Sequence, residues 1–140
     1  MGRVIGFDYG ARRLGVALSD PTRTLATPLG TLVRREGKRI PWAALARLLD
    51  GRETDLAVVG LPLELGGEEG AWALETRAFG AEVERKLGCP VRFVDERMTS
   101  LQAERLVRSS GLSRTRREEK ERVDSAAAAV ILQHFLDSKR

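Results

Sequence analysis

Three acidic residues that lie far apart along the chain could do chemistry together: Asp8, Glu96 and Asp124. Asp8 ends an apolar, strand-like run, and Glu96 follows a second run that closes at Val94. Asp124 stands directly before the long apolar stretch 126–132. Because a compact fold can bring the ends of such runs to one point, we expect the three carboxylates to share one site.

A cation is required wherever carboxylates gather. Two carboxylates about 4 Å apart repel each other by about 4 kcal/mol at an effective dielectric constant near 20. Oxygen ligands favour Mg²⁺ or Mn²⁺, and both ions also bind phosphate oxygens. Cys89 and His134 are the sole cysteine and histidine, which excludes a disulfide or a site built from several such ligands. We expect His134 to lie at the surface or to serve packing.

Each acid also has a purely structural explanation, and the local pattern alone leaves it open. Asp8 would then favour a hairpin turn. Asp124 would cap the N-terminus of the last helix, where free N–H groups and the helix dipole stabilise an acid. Asp95 and Glu96 are neighbours in a strand pattern and point to opposite faces, so at most one of them faces the same pocket as Asp8. Asp95 is therefore the lesser candidate.

The elements that must position these acids alternate between strand and helix patterns. Period-two apolar runs predict strands, and apolar spacings of three and four predict helices. Pro28 is expected at a sheet edge or a bulge. The predicted elements are a strand pair within Val4–Ser19, a strand at Leu25–Val33, a helix from Pro41 to Gly51, a strand at Leu56–Val59, a loop at Leu61–Gly70, a helix at Ala71–Leu87, a strand at Val91–Val94, a helix at Ser100–Ser109 and a helix that Asp124 opens.

Length and composition predict a single domain over residues 1–140. There is no apolar run of roughly 18 residues that would span a membrane, and the N-terminus lacks a signal-peptide pattern, so we expect a cytoplasmic protein without membrane contact. The net charge of +4 favours an anionic partner. Arginine supplies most of the positive charge, and its forked donors match phosphate oxygens.

Ser113–Arg122 is the most charged segment and has two interpretations. It is either a solvated connector or a basic arm that grips a nucleic-acid backbone. The interspersed glutamates favour the connector, because acids weaken phosphate binding. If the segment does contact a substrate, Arg116 and Arg117 are its candidate residues.

Four motifs together resemble the YqgF/RuvX family of pre-16S rRNA nucleases and Holliday junction resolvases. The resemblance covers nearly the whole chain and implies an α/β, ribonuclease H-like fold, with a mixed five-stranded sheet flanked by helices and its first three strands antiparallel. The motifs are Asp-Tyr-Gly-Ala-Arg-Arg-Leu-Gly-Val-Ala-Leu-Ser-Asp (8–20), Gly-Leu-Pro-Leu (60–63), Asp-Glu-Arg-Met-Thr-Ser (95–100) and Val-Asp-Ser-Ala-Ala-Ala-Ala-Val-Ile-Leu (123–132).

Carried onto this chain, the resemblance makes Asp8, Glu96 and Asp124 the catalytic ligands of two Mg²⁺ or Mn²⁺ ions. It puts Arg13 and Arg97 near the phosphate path. The glycine-rich loop departs from the family pattern, because Glu64 and Gly66 stand where an asparagine and then an aspartate are usual. A role for the loop acids Glu64, Glu68 and Glu69 therefore stays open.

The implied function is endonucleolytic maturation of the 5′ end of pre-16S rRNA. The neighbouring alternative is resolution of four-way DNA junctions, which needs two active sites and hence a dimer; we expect a monomer or a weak homodimer. Two alternatives come from other classes. An actin-like ATPase or sugar kinase shares the Asp-x-Gly turn but needs two such domains, and a non-catalytic nucleic-acid-binding module would use the acids only as caps and turn formers.

Overall fold

The fold is taken from a computed structural model that describes residues 2–34, 39–99 and 117–139, with only the helical backbone for 117–123. Its secondary structure consists of five strands, three helices and one short 3₁₀ turn. The strands are β1 (Arg3–Tyr9), β2 (Arg13–Ser19), β3 (Ala26–Val33), β4 (Thr54–Leu61) and β5 (Val91–Asp95). The helices are α1 (Trp42–Leu49), α2 (Ala71–Leu87) and α3 (Arg117–Ser138), and the 3₁₀ turn is Glu96–Thr99.

The strands form one mixed sheet in the order β3-β2-β1-β4-β5. β1 and β3 run antiparallel to β2, whereas β4 is parallel to both β1 and β5. The predicted five-stranded mixed sheet is confirmed. Since parallel strands end at the same edge, the carboxyl ends of β1, β4 and β5 meet there, the usual place for a ligand in such sheets.

Pro28 lies where it was predicted, on the edge strand β3. The pairing of β2 with β3 shifts register between Val16 and Ala17, opposite Gly30 and Pro28. Proline has no N–H to donate, so an edge position with a register shift accommodates it without a lost ladder bond.

The two faces of the sheet carry separate apolar cores. Alternation along β1 directs Ile5 and Phe7 to one face and Val4 to the other. The first core also contains residues of α1 and α2: Leu45, Leu49, Phe79 and Val83. The second core contains residues of α3: Ala127, Ala128, Ile131, Leu132 and Leu136. α3 thus covers the face toward which Asp8 points, because Asp8 continues the alternation of Val4.

The last helix begins earlier than predicted. α3 starts at Arg117, so the expectation that Asp124 opens the helix is wrong, and Asp124 lies two turns inside it. The charged stretch 117–122 consists of strong helix formers, with Glu118 four residues before Arg122, and helix propensity therefore outweighs its connector-like composition. The helix predicted at Ser100–Ser109 lies outside the described residues.

The other helices agree with their patterns. α2 has the predicted bounds, Ala71–Leu87, although Trp72 is only half-buried. α1 ends at Leu49 and is followed by Asp50 and Gly51, both with positive φ. His134 is exposed on α3, as expected for a surface residue. Of the helices in the described part of the chain, none combines the length and apolar character needed to cross a membrane.

Asp20 closes the turn between β2 and β3. One carboxylate oxygen accepts hydrogen bonds from the backbone N–H groups of Leu25 and Thr24, at 2.9 and 2.7 Å, and the other accepts one from the Thr22 hydroxyl. These bonds, that of Leu25 first, lower the pKa of Asp20 from 3.8 to about 2. The ionised form therefore stabilises the turn.

We expect Asp20→Ala to lower the melting temperature at neutral pH, because it removes the acceptor of these bonds. The stabilisation by Asp20 is fully present above its ordinary pKa of 3.8 and is lost as the pH falls through about 2. Thermal unfolding followed by circular dichroism should therefore show a difference between wild type and variant that narrows over this acid range. A difference that does not change with pH would contradict this role.

Candidate active site

Asp8 stands at the end of the central strand with a glycine on each side. Gly15 of β2 is its direct cross-strand partner. On the other side, Phe7 pairs with Val59, so continuing the register puts Gly60 of β4 beside Asp8. The Asp8 side chain is only 6% exposed. The missing side chains of its neighbours leave space on the α3 face beside a buried carboxylate.

Glu96 occupies the space over Gly60. It is the first residue of the 3₁₀ turn that follows β5, and it is 2% exposed. A Cβ atom added to Gly60 would lie 3.2 Å from a Glu96 carboxylate oxygen and 2.6 Å from Ile131 of α3. The turn is fixed by the Thr99 hydroxyl, which donates a 2.8 Å hydrogen bond to the Glu96 carbonyl oxygen.

Asp124 occupies the space over Gly15. A Cβ atom added to Gly15 would lie 2.1 Å from the Asp124 carbonyl oxygen, so no larger residue fits without moving α3. The Asp124 carboxylate is 4.0 Å from Nε of Arg13. Asp8, Glu96 and Asp124 therefore lie on one face of the sheet and at one edge, with Asp8 between the other two.

In the described part of the chain, the three acids are not already arranged as ligands around one metal position. Within the described ranges there is no group of three or more side chains close enough together to hold a metal ion, and all three acids already interact with other groups of the chain. The donor set is nevertheless all oxygen, which suits Mg²⁺ or Mn²⁺. A divalent ion would also supply positive charge beside the buried carboxylates of Asp8 and Glu96. The residues therefore fit a divalent ion, provided that their side chains rearrange when it binds.

Arg13 has an unused donor at this site. Its Nε is buried and has no hydrogen-bond partner in the part of the chain that the structure describes. Asp124, at 4.0 Å, is close enough for charge attraction but too far for a hydrogen bond. Buried donors without an acceptor are rare in folded proteins, and they point to a missing partner. An oxygen of a bound phosphate would supply one.

Arg97 makes intramolecular contacts instead of presenting free donors. Its Nε and Nη2 bind the Asp95 carboxylate at 2.7–3.1 Å, and its Nη1 donates to the Leu65 carbonyl oxygen at 3.1 Å. This pairing lowers the pKa of Asp95 and raises that of Arg97. Arg97 thereby fastens the loop between β4 and α2 to the turn that carries Glu96. A direct contact of Arg97 with substrate would require these bonds to open.

Of the three loop acids, Glu69 is engaged by an arginine, whereas the described contacts include no side-chain hydrogen bond or ion pair of Glu64 or Glu68. Glu69 forms a two-pronged ion pair with Arg77, at 2.7 and 2.8 Å, which lowers the pKa of Glu69. Arg116 lies outside the described residues, and the side chain of Arg117 is not described. The sequence patterns did not predict the role of Gly15, whose missing side chain allows α3 to pack closely on the sheet. Its contact is with a helix more than a hundred residues away in the chain.

Two solved structures with the same fold are complexes with Holliday junctions. The structure of T. thermophilus RuvC in complex with Holliday junction substrate matches with a TM-score of 0.55 at 20% identity, covering 99% of this chain and 96% of that one. The fowlpox virus resolvase bound to Holliday junction DNA matches with a TM-score of 0.50 at 10% identity, covering 98% of each chain. At these identities the likeness shows the fold alone, and the predicted ribonuclease H-like class is confirmed.

Two full-length relatives have a higher sequence identity to this chain than these structures do. A protein of Anaeromyxobacter sp. (strain Fw109-5) is 44% identical over 137 residues, covering 98% of each chain. A protein of Roseiflexus sp. (strain RS-1) is 41% identical over 139 residues, covering 99% of this chain and 96% of that one. Both are named "Putative pre-16S rRNA nuclease".

Fold and relatives together define a nuclease, a hydrolase of phosphodiester bonds. Nucleases of this structural class generally use divalent metal ions. A family model described as "RuvX: Holliday junction resolvase" matches residues 2–138. The chain belongs to this RuvX family, as the four sequence motifs predicted.

We expect Arg97→Ala to loosen the loop at 61–70 while changing the melting temperature little, because exposed ion pairs contribute little to stability. Hydrogen–deuterium exchange should become faster in this loop and in Glu96–Thr99. Arg92→Ala is the matched control, since Arg92 is an exposed arginine of β5 whose side chain donates only to the adjacent Val91 carbonyl among the described contacts. Unchanged exchange in Arg97→Ala would refute the fastening role.

Proposed function

We propose that this protein is a metal-dependent endonuclease with Asp8, Glu96 and Asp124 as the ligands of two Mg²⁺ or Mn²⁺ ions. The observation that carries the proposal is the common position of these acids. Asp8 is flanked by two glycines, one beneath Glu96 and the other beneath the Asp124 backbone. Carboxylates gathered at one edge of the sheet in this way have no apolar packing function, and divalent cations would offset their mutual repulsion once the side chains rearrange around them.

The chain's own groups would hold and orient the substrate. Asp8 is fixed by the central strand and Glu96 by the 3₁₀ turn, so both carboxylates are held by backbone that is already ordered. Arg13 would donate its buried Nε–H to a phosphate oxygen beside Asp124. The chemistry supplied by bound divalent ions is a lower pKa for the attacking water and stabilisation of the leaving oxygen.

The proposed substrate is a precursor of 16S rRNA. The support comes from full-length relatives of this chain that are named as pre-16S rRNA nucleases. The net charge of +4 suits a nucleic-acid partner. The proposal includes a single nuclease domain over residues 1–140, and action in the cytoplasm, where bacterial ribosome precursors are processed.

We expect Asp8→Asn to abolish cleavage of a labelled pre-16S fragment, by at least about a hundredfold, because it removes a charged ligand at the centre of the site. Isothermal calorimetry with Mn²⁺ should show that the variant also loses metal binding. Asp137→Asn, on the exposed end of α3, is the control and should cleave like wild type. Cleavage that persists in Asp8→Asn or in EDTA would defeat the proposal. A wild type that binds no Mn²⁺ would instead favour a non-catalytic nucleic-acid-binding module.

A second candidate substrate is a four-way DNA junction, which the description of the matching family favours. Symmetric cutting of a junction needs two active sites on one substrate, and hence two copies of the chain.

We expect the pre-16S fragment to be cut faster than a four-way junction under the same conditions, and we expect the chain to stay monomeric on RNA. Cleavage rates on both substrates, together with analytical ultracentrifugation with and without junction DNA, measure this directly. A junction-bound dimer that makes paired, symmetric cuts faster than it cuts RNA would make resolution the primary activity.

A further inference from the structure

A second cavity lies behind the carboxylate site, on the opposite face of the sheet. Tyr9 directly follows Asp8 and, by strand alternation, points to the face covered by α1 and α2. The cavity beside Tyr9 has a volume of about 470 Å³, within the usual range for small-molecule sites. Its wall includes Tyr9, Trp72, Phe79 and Ile40, and its charged residues are Arg34, Arg39, Glu75 and Glu82.

The aromatic wall is built as a stack. Tyr9 lies nearly parallel to Trp72 and to Phe79, with ring centroids 5.1 and 4.5 Å away. Trp72 and Phe79 are two turns apart on α2, a rise of about 10 Å, which is the space that one ring between them requires. Tyr9 is therefore held between the two rings. Trp72 stands at the end of this stack and is half-buried.

The cavity is lined by two arginines, Arg34 and Arg39. Nη2 of Arg34 donates to the Tyr9 hydroxyl at 2.8 Å and to the Gly10 carbonyl oxygen at 3.3 Å, and its guanidinium lies 5.0 Å from the Tyr9 ring centroid. Arg39 is exposed. Arg34 thus places one cation beside the turn that follows the central acid, and Arg39 adds a second cation to the cavity lining.

The negative charges lie on one side of α2. Glu75 and Glu82 are seven residues apart, so they share a helix face, with the small Ala78 between them. Among the described contacts, neither glutamate forms a hydrogen bond or an ion pair, and Arg39 forms none either. Two acids and the cation of Arg39 therefore face one cavity without pairing with each other in the described part of the chain. A uniformly anionic ligand does not suit such a mixture.

A nucleotide does suit it. The half-buried Trp72 at the end of the aromatic stack can stack against the base, and the donors of the exposed Arg39 match its phosphate. Carboxylates accept hydrogen bonds from the exocyclic amino group of cytosine, adenine or guanine, whereas uracil and thymine have none. We propose that this cavity binds one unpaired nucleotide with an amino-bearing base. The inference rests on the proposed nuclease function in that the nucleotide would belong to the strand whose phosphate lies at Asp8.

The test is binding in EDTA, where no cleavage occurs, measured by fluorescence anisotropy with short labelled oligocytidine and oligouridine. Wild type should bind oligocytidine more tightly by about fivefold or more. The double variant Glu75→Gln/Glu82→Gln should lose this preference, because the carboxamide can also donate to the uracil carbonyl. Glu84→Gln, an exposed glutamate of α2 outside the cavity, is the control and should keep it.

Arg39→Ala tests the phosphate contact. It should weaken binding of both oligonucleotides to a similar degree, whereas Arg47→Ala, an exposed arginine of α1 outside the cavity, should not. Thermal melting of every variant checks that the fold is retained. If a variant fails to fold, the base preference is measured instead by titrating the wild type with cytidine monophosphate and uridine monophosphate.

The same titration separates two sources of the ligand. A cytidine preference seen with oligonucleotides indicates a nucleotide within the substrate strand, and a preference seen only with the monophosphates indicates a free nucleotide; both support the site. Affinities that do not depend on the glutamates or on Arg39 would overturn it. If cleavage depends on metal but binding shows no base preference, the proposal of a nucleotide site in the cavity is wrong, whereas the proposed nuclease function stands. If binding shows the base preference but no cleavage is detected, the proposed nuclease function is wrong, whereas the nucleotide site in the cavity stands.

Discussion

The close contact between α3 and the sheet is the constraint on which the site depends. Glycines replace side chains at several close approaches of the helix: a Cβ atom on Gly6 would lie 2.8 Å from Leu132, and one on Gly15 would meet the Asp124 backbone. The buried residues of α3 at this contact include alanines, so both surfaces are small and can lie close together. Asp124 on the side of α3 can lie close to Asp8 on the sheet only because α3 packs this near to the strands.

The same strand serves two chemically different faces. Asp8 and Tyr9 are adjacent, and strand alternation sends the acid toward α3 and the ring toward α2. Glycine neighbours surround the acid, which leaves room for ions and phosphate. Aromatic neighbours enclose the ring, which makes a rigid apolar wall. In our proposals, one end of β1 thereby supports both phosphate chemistry and contact with a base.

The surrounding charges are distributed so that few acids remain available. Arg97 engages Asp95, and Arg77 engages Glu69, although all four residues lie near the carboxyl edge of the sheet. These pairs also connect elements, since Arg77 ties α2 to the loop before it and Arg97 ties that loop to the Glu96 turn. The acids that stay buried at the site are Asp8 and Glu96. Pairing Asp95 and Glu69 with arginines reduces the negative charge of a surface that, in our proposal, must accept phosphate.

The sequence by itself determined the types and order of most elements, because helix and strand periodicities are local properties of the chain. It also determined the family, through four motifs, and selected the acids worth examining. It misplaced the start of α3, since the charged run has the composition of a connector, although its residues are good helix formers and continue the packed helix. Tertiary structure alone decided that Asp95 and Arg97 pair with each other, and that Gly15 admits the helix which bears Asp124. Such outcomes depend on distances between segments remote in the chain, which no local pattern encodes.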